Sequence, residues 1–224
     1  MNSKTSNQSA QQKVIIAIDM DNTLVLTNAL HVHAFNYAFV KSKLDEVKPK
    51  VIERLLGLHG EEIIKRIFPR LSKQKVKKIL MLHNNFVARN AAKLVKRIAK
   101  PNTINALIKK LKQKYYVVLT TNASKKEVNA ILKASGINKK LFDAIITKEM
   151  AKPKPSADAL KKAEHLLNAK VAIVIGDTPY DILAGKKVKA KTIAVLTGNF
   201  SFKELIKYKP DMVLHNITEL AGII

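Results

Sequence analysis

The sequence predicts an α/β protein: a doubly wound, mostly parallel sheet with an α-helical domain inserted after the first strand. Three observations carry that prediction. Short apolar runs alternate with amphipathic helical patterns, as in successive βα units. One long interval, after the first run, holds helical patterns alone. Clusters of carboxylate, hydroxyl and ammonium side chains follow the apolar runs directly, at the strand ends where open α/β sheets bind ligands.

Met1 to Gln12 is polar and lacks an apolar central region, so it is expected to be a disordered tail rather than a signal peptide. Val14–Ile18 is the first apolar run and reads as a buried parallel strand. Residues 28–99 then contain no convincing strand. Leu30–Leu44 reads as one helix, Gly57-Leu58-His59-Gly60 as a loop before a helix over Glu61–Phe68, and Leu71–Lys100 as one or two more helices. Pro101 marks re-entry into the sheet, because the residue before a proline disfavours helix. Four further strands are predicted at Tyr115–Thr120, Ala144–Thr147, Val171–Ile175 and Thr192–Leu196. Helices are expected at Thr103–Gln113, Lys125–Ser135, Ser156–Leu167 and Tyr180–Val188, with Met212–Leu214 as a short edge strand. The expected organisation is a core of residues 13–27 and 100–224 and a helical cap of residues 28–99.

Composition bounds the function. The 224 residues allow one large domain or a core with a smaller insert, and the 47% hydrophobic content is enough for an aliphatic core. The absence of Cys excludes disulfides, thiol catalysis and Cys-zinc sites. No apolar run approaches the roughly 20 residues that span a bilayer. No membrane association is therefore expected, and a cytoplasmic location is. The formal net charge of +24 favours anionic partners and steers anions at long range. Only five of the basic residues are Arg, so the charge is mostly Lys, a point charge without Arg's bidentate fork. Lys enrichment without Cys is also common in heat-adapted proteins. From Ile63 to Lys126 the chain carries 18 Lys and Arg and no acid. That tract reads either as a solvated face or as a surface that draws in an anion.

Four segments carry chemistry. The first is Asp19-Met20-Asp21-Asn22-Thr23, directly after the first strand. In a strand-like segment residues i and i+2 point the same way, so Asp19 and Asp21 face one pocket. A carboxylate is a phosphoryl acceptor, which suits Asp19 as nucleophile. Asp21 suits proton transfer to the leaving oxygen and then from water. Asn22 tolerates the left-handed backbone of a sharp turn. Thr120-Thr121-Asn122 comes second, where a hydroxyl and free N–H groups at a helix start form an anion site. In the third, Lys152-Pro153-Lys154-Pro155, prolines hold a lysine that can neutralise a phosphoryl group. Lys152 is preferred over Lys154 because it lies nearer the strand end. The fourth is Gly176-Asp177-Thr178-Pro179-Tyr180-Asp181, whose Asp177 suits a hard cation such as Mg²⁺ and whose Asp181 falls in the next helix's first turn.

Taken in order, these residues resemble the haloacid dehalogenase superfamily from about Lys13 onward, and the insert's position is similar to that of members with a small helical cap. The resemblance implies a Rossmann-like core and assigns roles. Asp19 would be nucleophile and metal ligand, and Asp21 general acid and base with its carbonyl on the metal. Thr121, Asn122 and Lys152 would bind phosphate, Asp177 would bind Mg²⁺, and Asp181 would support the site. Asn22 stands where Gly is commoner in the family. The presence of Asp21 points away from dehalogenases and towards phosphoryl transfer. The leading expectation is a Mg²⁺-dependent phosphatase acting on a small phosphorylated metabolite, similar to phosphoglycolate phosphatase, as a monomer or homodimer. A phosphomutase of the β-phosphoglucomutase type is the alternative, with Thr27 and His31 compatible with it. His59, in the cap loop, is a further candidate for substrate contact. A polyanion-binding protein is the third reading, although no nucleic-acid motif, Arg cluster or aromatic row is present.

Overall fold

A computed structural model describes residues 13–223; the tail expected over residues 1–12 lies outside the described residues. Strand β1 (Val14–Ile18) is followed by the two-residue strand β2 (Val25–Leu26) and then by helices α1 (Asn28–Lys41), α2 (Pro49–Glu53), α3 (Gly60–Ile67) and α4 (Lys73–Leu94). Strand β3 (Lys96–Arg97) leads to α5 (Pro101–Lys114), β4 (Tyr115–Thr120), α6 (Lys125–Ser135) and β5 (Ala144–Ile146). The chain continues through α7 (Asp158–Leu167), β6 (Val171–Gly176), α8 (Pro179–Lys187), β7 (Lys191–Val195), the single turn α9 (Phe202–Leu205) and β8 (Met212–Leu214).

Six strands form one parallel sheet in the order β5-β4-β1-β6-β7-β8. Numbered among themselves in chain order they run 3-2-1-4-5-6, the doubly wound order, and the switch point falls at β1. Alternate residues of β1 face opposite layers. Ile16 and Ile18 join the cluster that includes Leu107 and Ile108 of α5 and Val128 and Ile131 of α6. Ile15 and Ala17 join Leu160 and Ala163 of α7 and Ala184 of α8. Helices therefore cover both faces of β1, which reads as a continuous apolar run because both of its faces are buried.

The helical interval has an apolar cluster of its own, built on Phe35, Phe39, Ile52, Ile64, Val76 and Ile79. It is also tied to the sheet: Leu30 and Ala34 of α1 and Val87 and Ala91 of α4 belong to the sheet-side cluster. The buried residues of α4 are Val76, Ile79, His83, Val87 and Ala91, a stripe at helical spacing with one imidazole in it.

Several boundaries differ from expectation. Pro101 opens α5 at its first helical position, where its missing N–H removes no helical bond, so that helix begins two residues earlier than the periodicity suggested. The stretch expected to contain only helix holds Lys96–Arg97, which pairs antiparallel with Val25–Leu26. The chain segments entering and leaving the helical block thus form a two-stranded ribbon. Two residues per strand are too few for a period to show in the sequence.

Candidate active site

The sheet's carboxyl ends meet around Asp19. Its backbone N–H donates to the Ile175 carbonyl at 2.9 Å, locking the tip of β1 to β6. Asn22 takes φ +54°, the left-handed turn its side chain tolerates, and its N–H donates to the Val25 carbonyl at 2.6 Å. Asp19, Asp21, Asn22, Thr121, Asn122, Asp177 and Asp181 all line one cleft between the strand tips and the helical block.

The lysine that reaches Asp19 in that cleft is Lys154, not Lys152. Lys154 Nζ donates to Asp19 Oδ1 at 2.6 Å, to Asp181 Oδ1 at 2.6 Å and to the Thr120 carbonyl at 2.9 Å. Lys152 is exposed. Proximity to the strand end was the wrong criterion, because β5 stops at Ile146 and the chain makes turns before it reaches the cleft. What pins Lys154 is Asn122, whose Oδ1 accepts the Lys154 N–H at 2.9 Å. Asn122 also donates from Nδ2 to the Gly57 carbonyl at 2.9 Å, which ties the second segment to the helical block.

The other expected residues fall as follows. Thr121 is buried, and its Oγ1 accepts the Ala123 N–H at 3.0 Å just ahead of α6. Asp21 Oδ1 accepts from Thr27 Oγ1 at 2.8 Å and meets His31 Nε2 at 3.2 Å. Thr27 is fully buried and serves Asp21 rather than facing a ligand. His59 is half-buried and does not line the cleft, although Gly57, Leu58 and Gly60 do. Asp181 forms a capping box with Thr178 at the start of α8, which turns its other oxygen to Lys154. Asp177 Oδ1 accepts from Thr23 Oγ1 at 3.2 Å. Close approach at Asp177 depends on Gly198, where a Cβ would stand 1.9 Å from Asp177 Oδ2.

Electrostatics at this point are unbalanced. Burial pushes Asp19 up to about 7, against the lowering pull of the Lys154 ammonium. Burial raises Asp177 well above the carboxylate range, and the neighbouring Asp19 and Asp181 charges raise it further. Lys154 is held charged: burial works against it, but Asp181 and Asp19 raise its pKa. Burial also works against ionised Asp21, yet the hydrogen bond and charge of His31 bring its pKa down. One ammonium therefore faces several carboxylates, an all-oxygen set that fits a hard divalent cation. Asp19 and Asp177, with the Asp21 carbonyl, are the groups that would hold it.

Sequence reasoning missed four polar residues that line the cleft: His83, Asn84, Glu127 and Lys148. Glu127 is the first acid after the acid-free tract, and His83 interrupts an apolar helical stripe. Both signals were visible, yet neither residue belongs to a cluster at a strand end.

A doubly wound parallel sheet with a lysine-bound aspartate at its switch point defines a class, the Rossmann-like α/β proteins whose polar site lies at the first strand's tip. The chain belongs to the haloacid dehalogenase-like hydrolase family, whose model matches residues 16–195. It is 28% identical over 215 residues to the pyrophosphatase PpaX of Bacillus cereus (strain Q1), covering 93% of this chain and 95% of that one. Solved structures share the fold. A hydrolase from Pseudomonas syringae superposes with a TM-score of 0.81 at 20% identity, over 94% of this chain and 97% of that one. A predicted phosphoglycolate phosphatase from Haemophilus somnus 129pt gives 0.79 at 20% identity, over 96% and 99%. CbbY from Rhodobacter sphaeroides, in complex with phosphate, gives 0.78 at 23% identity, over 93% and 96%.

Proposed function

We propose that this hydrolase is a Mg²⁺-dependent phosphatase acting on a small phosphorylated metabolite through an aspartyl-phosphate. The observation that carries the reading is the Lys154 ammonium, 2.6 Å from both Asp19 and Asp181 at the floor of the cleft. An Asp19 oxygen attacks phosphorus while the bond to the leaving oxygen breaks, and Asp21 gives that oxygen its proton. Asp21 then takes a proton from water as the water oxygen attacks phosphorus, which frees phosphate and restores the Asp19 carboxylate. Lys154, the Thr121 hydroxyl and N–H groups at the start of α6 bind the phosphoryl oxygens. A Mg²⁺ ion held by Asp19, Asp177 and the Asp21 carbonyl supplies further positive charge against that group when bound. Residues 28–99 act as a cap over the cleft and exclude water until the phosphoenzyme has formed.

The relatives' names make pyrophosphate and phosphoglycolate the first compounds to try. Phosphate release should be measured over a panel of metabolites with Mg²⁺, comparing the wild type with Asp19→Asn. The variant is expected to lose turnover, and near-normal rates from it would overturn the mechanism. The mutase reading draws on His31, which sits 3.2 Å from Asp21. A sugar 1-phosphate converted to an isomer without free phosphate would favour it.

A further inference from the structure

Behind Asp21 runs an unbroken line of polar contacts. His31 presents Nε2 to Asp21 Oδ1 at 3.2 Å and Nδ1 to His83 Nε2 at 3.2 Å. His83 Nδ1 in turn lies 3.4 Å from Glu127 Oε1. The two imidazoles are stacked 12° from parallel, and the Phe35 ring lies 4.2 Å from that of His83. Glu127 Oε2 accepts from the Ser124 N–H at 2.7 Å and the Ser124 hydroxyl at 2.6 Å, and Lys148 Nζ lies 3.7 Å from it. His31, His83 and Glu127 are 8%, 4% and 3% exposed, so the line is buried along its length.

The line has a direction. Asn84 Oδ1, at 3.1 Å, and Glu127 Oε1 both face His83 Nδ1, and a carboxylate only accepts. His83 therefore carries its proton on Nδ1. Burial pushes His83 down to about 4, which keeps the ring neutral and leaves Nε2 a lone pair. That lone pair accepts the His31 Nδ1–H, and the remaining His31 nitrogen, Nε2, is turned to Asp21. The reverse arrangement would set two N–H groups or two lone pairs against each other.

We infer that His83 and Glu127 are positioning residues for the reaction, holding His31 in one orientation, with Nδ1–H on His83 Nε2 and Nε2 against the Asp21 carboxyl. The inference rests on Asp21 being the proton donor and acceptor of the phosphatase reading. It also couples chemistry to closure. His31 and His83 stand on α1 and α4, whereas Glu127 stands on α6 beside the sheet, so the line is complete only with the helical block seated as it is here.

The test separates leaving groups. An alkyl phosphate needs a proton on its departing oxygen, whereas p-nitrophenolate leaves without one, and kcat/KM reports the step in which that oxygen leaves. His83→Phe keeps the stacked ring and removes both nitrogens; Glu127→Gln keeps the shape and removes the charge. Each should lower kcat/KM for the alkyl ester roughly 10–100-fold, as loss of a supporting contact does, and for p-nitrophenyl phosphate less than about 3-fold. The double variant should be no worse than the poorer single one, because both cut the same line. Equal losses on both esters, or no loss, would overturn the role while wild-type hydrolysis and its loss in Asp19→Asn still stood. Full turnover by Asp19→Asn would remove the phosphatase reading and this inference with it. Imidazole ¹⁵N spectra of the wild type give a readout free of turnover and of variant folding. They should show His83 neutral with its proton on Nδ1, and a proton on Nε2 instead would refute the arrangement.

Discussion

Lys154 and Lys152 are two residues apart, share a proline-rich loop, and differ completely in environment. The first bridges Asp19 and Asp181; the second is in solvent. Lys154→Met should cost about 10²–10³-fold in kcat, as loss of a charge-stabilising donor does, and Lys152→Met less than about 3-fold. Equal effects in a phosphate-release assay would contradict the placement. The acids make a prediction about pH. The Asp19 carboxyl ionises near 3.8 in the unfolded chain and at about 7 in the fold, and Asp177 is raised in the same sense. Between those values the unfolded state has released protons that the folded state keeps. Stability contributed by these acids is therefore present below about 4 and is lost as pH rises towards 7 in the metal-free protein. Mg²⁺ at neutral pH should raise the melting temperature, by about 2–4 °C per kcal/mol of binding in a chain of this size. Asp177→Asn should weaken both effects. Calorimetric melts from pH 4 to 8 with Mg²⁺ or EDTA check this, and a metal-free stability that climbs towards neutrality in the wild type, but not in Asp177→Asn, would count against it.

Elements set how those residues meet. The loop between α2 and α3 reaches the cleft through Gly57, at φ +99°, with its carbonyl on Asn122 Nδ2 and space for a Cβ only 2.7 Å from Thr178 Cγ2. Gly57→Ala strains a left-handed position and pushes the loop off α8. It should change kcat and KM together, as contacts that govern closure do, while circular dichroism stays native. Unchanged steady-state constants would remove this loop from the closed state. Elements also show where pattern reading stopped. The central sheet strands were legible because burial on both faces makes them continuous apolar runs, as in Val14–Ile18. The ribbon of Val25–Leu26 with Lys96–Arg97 was not, because its pairing joins segments about 70 residues apart through backbone groups alone. His83 was passed over for the opposite reason. It sits within a helical stripe that reads as core, and only the approach of α4 to α6 gives its imidazole a carboxylate partner.

At the scale of the whole molecule the chain carries a formal net charge of +24, and the phosphatase reading brings an anion to the cleft. Such a field raises encounter rates and is screened by salt over about 10 Å at 0.1 M ionic strength. Raising NaCl from roughly 0.05 to 0.5 M should therefore lower kcat/KM for a phosphorylated substrate and leave kcat nearly unchanged. A salt-independent kcat/KM would make the lysines bystanders. The sequence by itself determined the parallel α/β class, the switch-point site, and the aspartates that reach it. Those follow from local facts: a buried strand must be apolar, and a polar residue just past its end has one direction in which to point. Only the tertiary structure decided that Lys154 rather than Lys152 meets Asp19, that Thr27 serves Asp21, and that His83 and Glu127 stand behind His31. Each depends on how far a loop travels or how closely two helices approach, and those distances arise from the packing of segments remote in the chain.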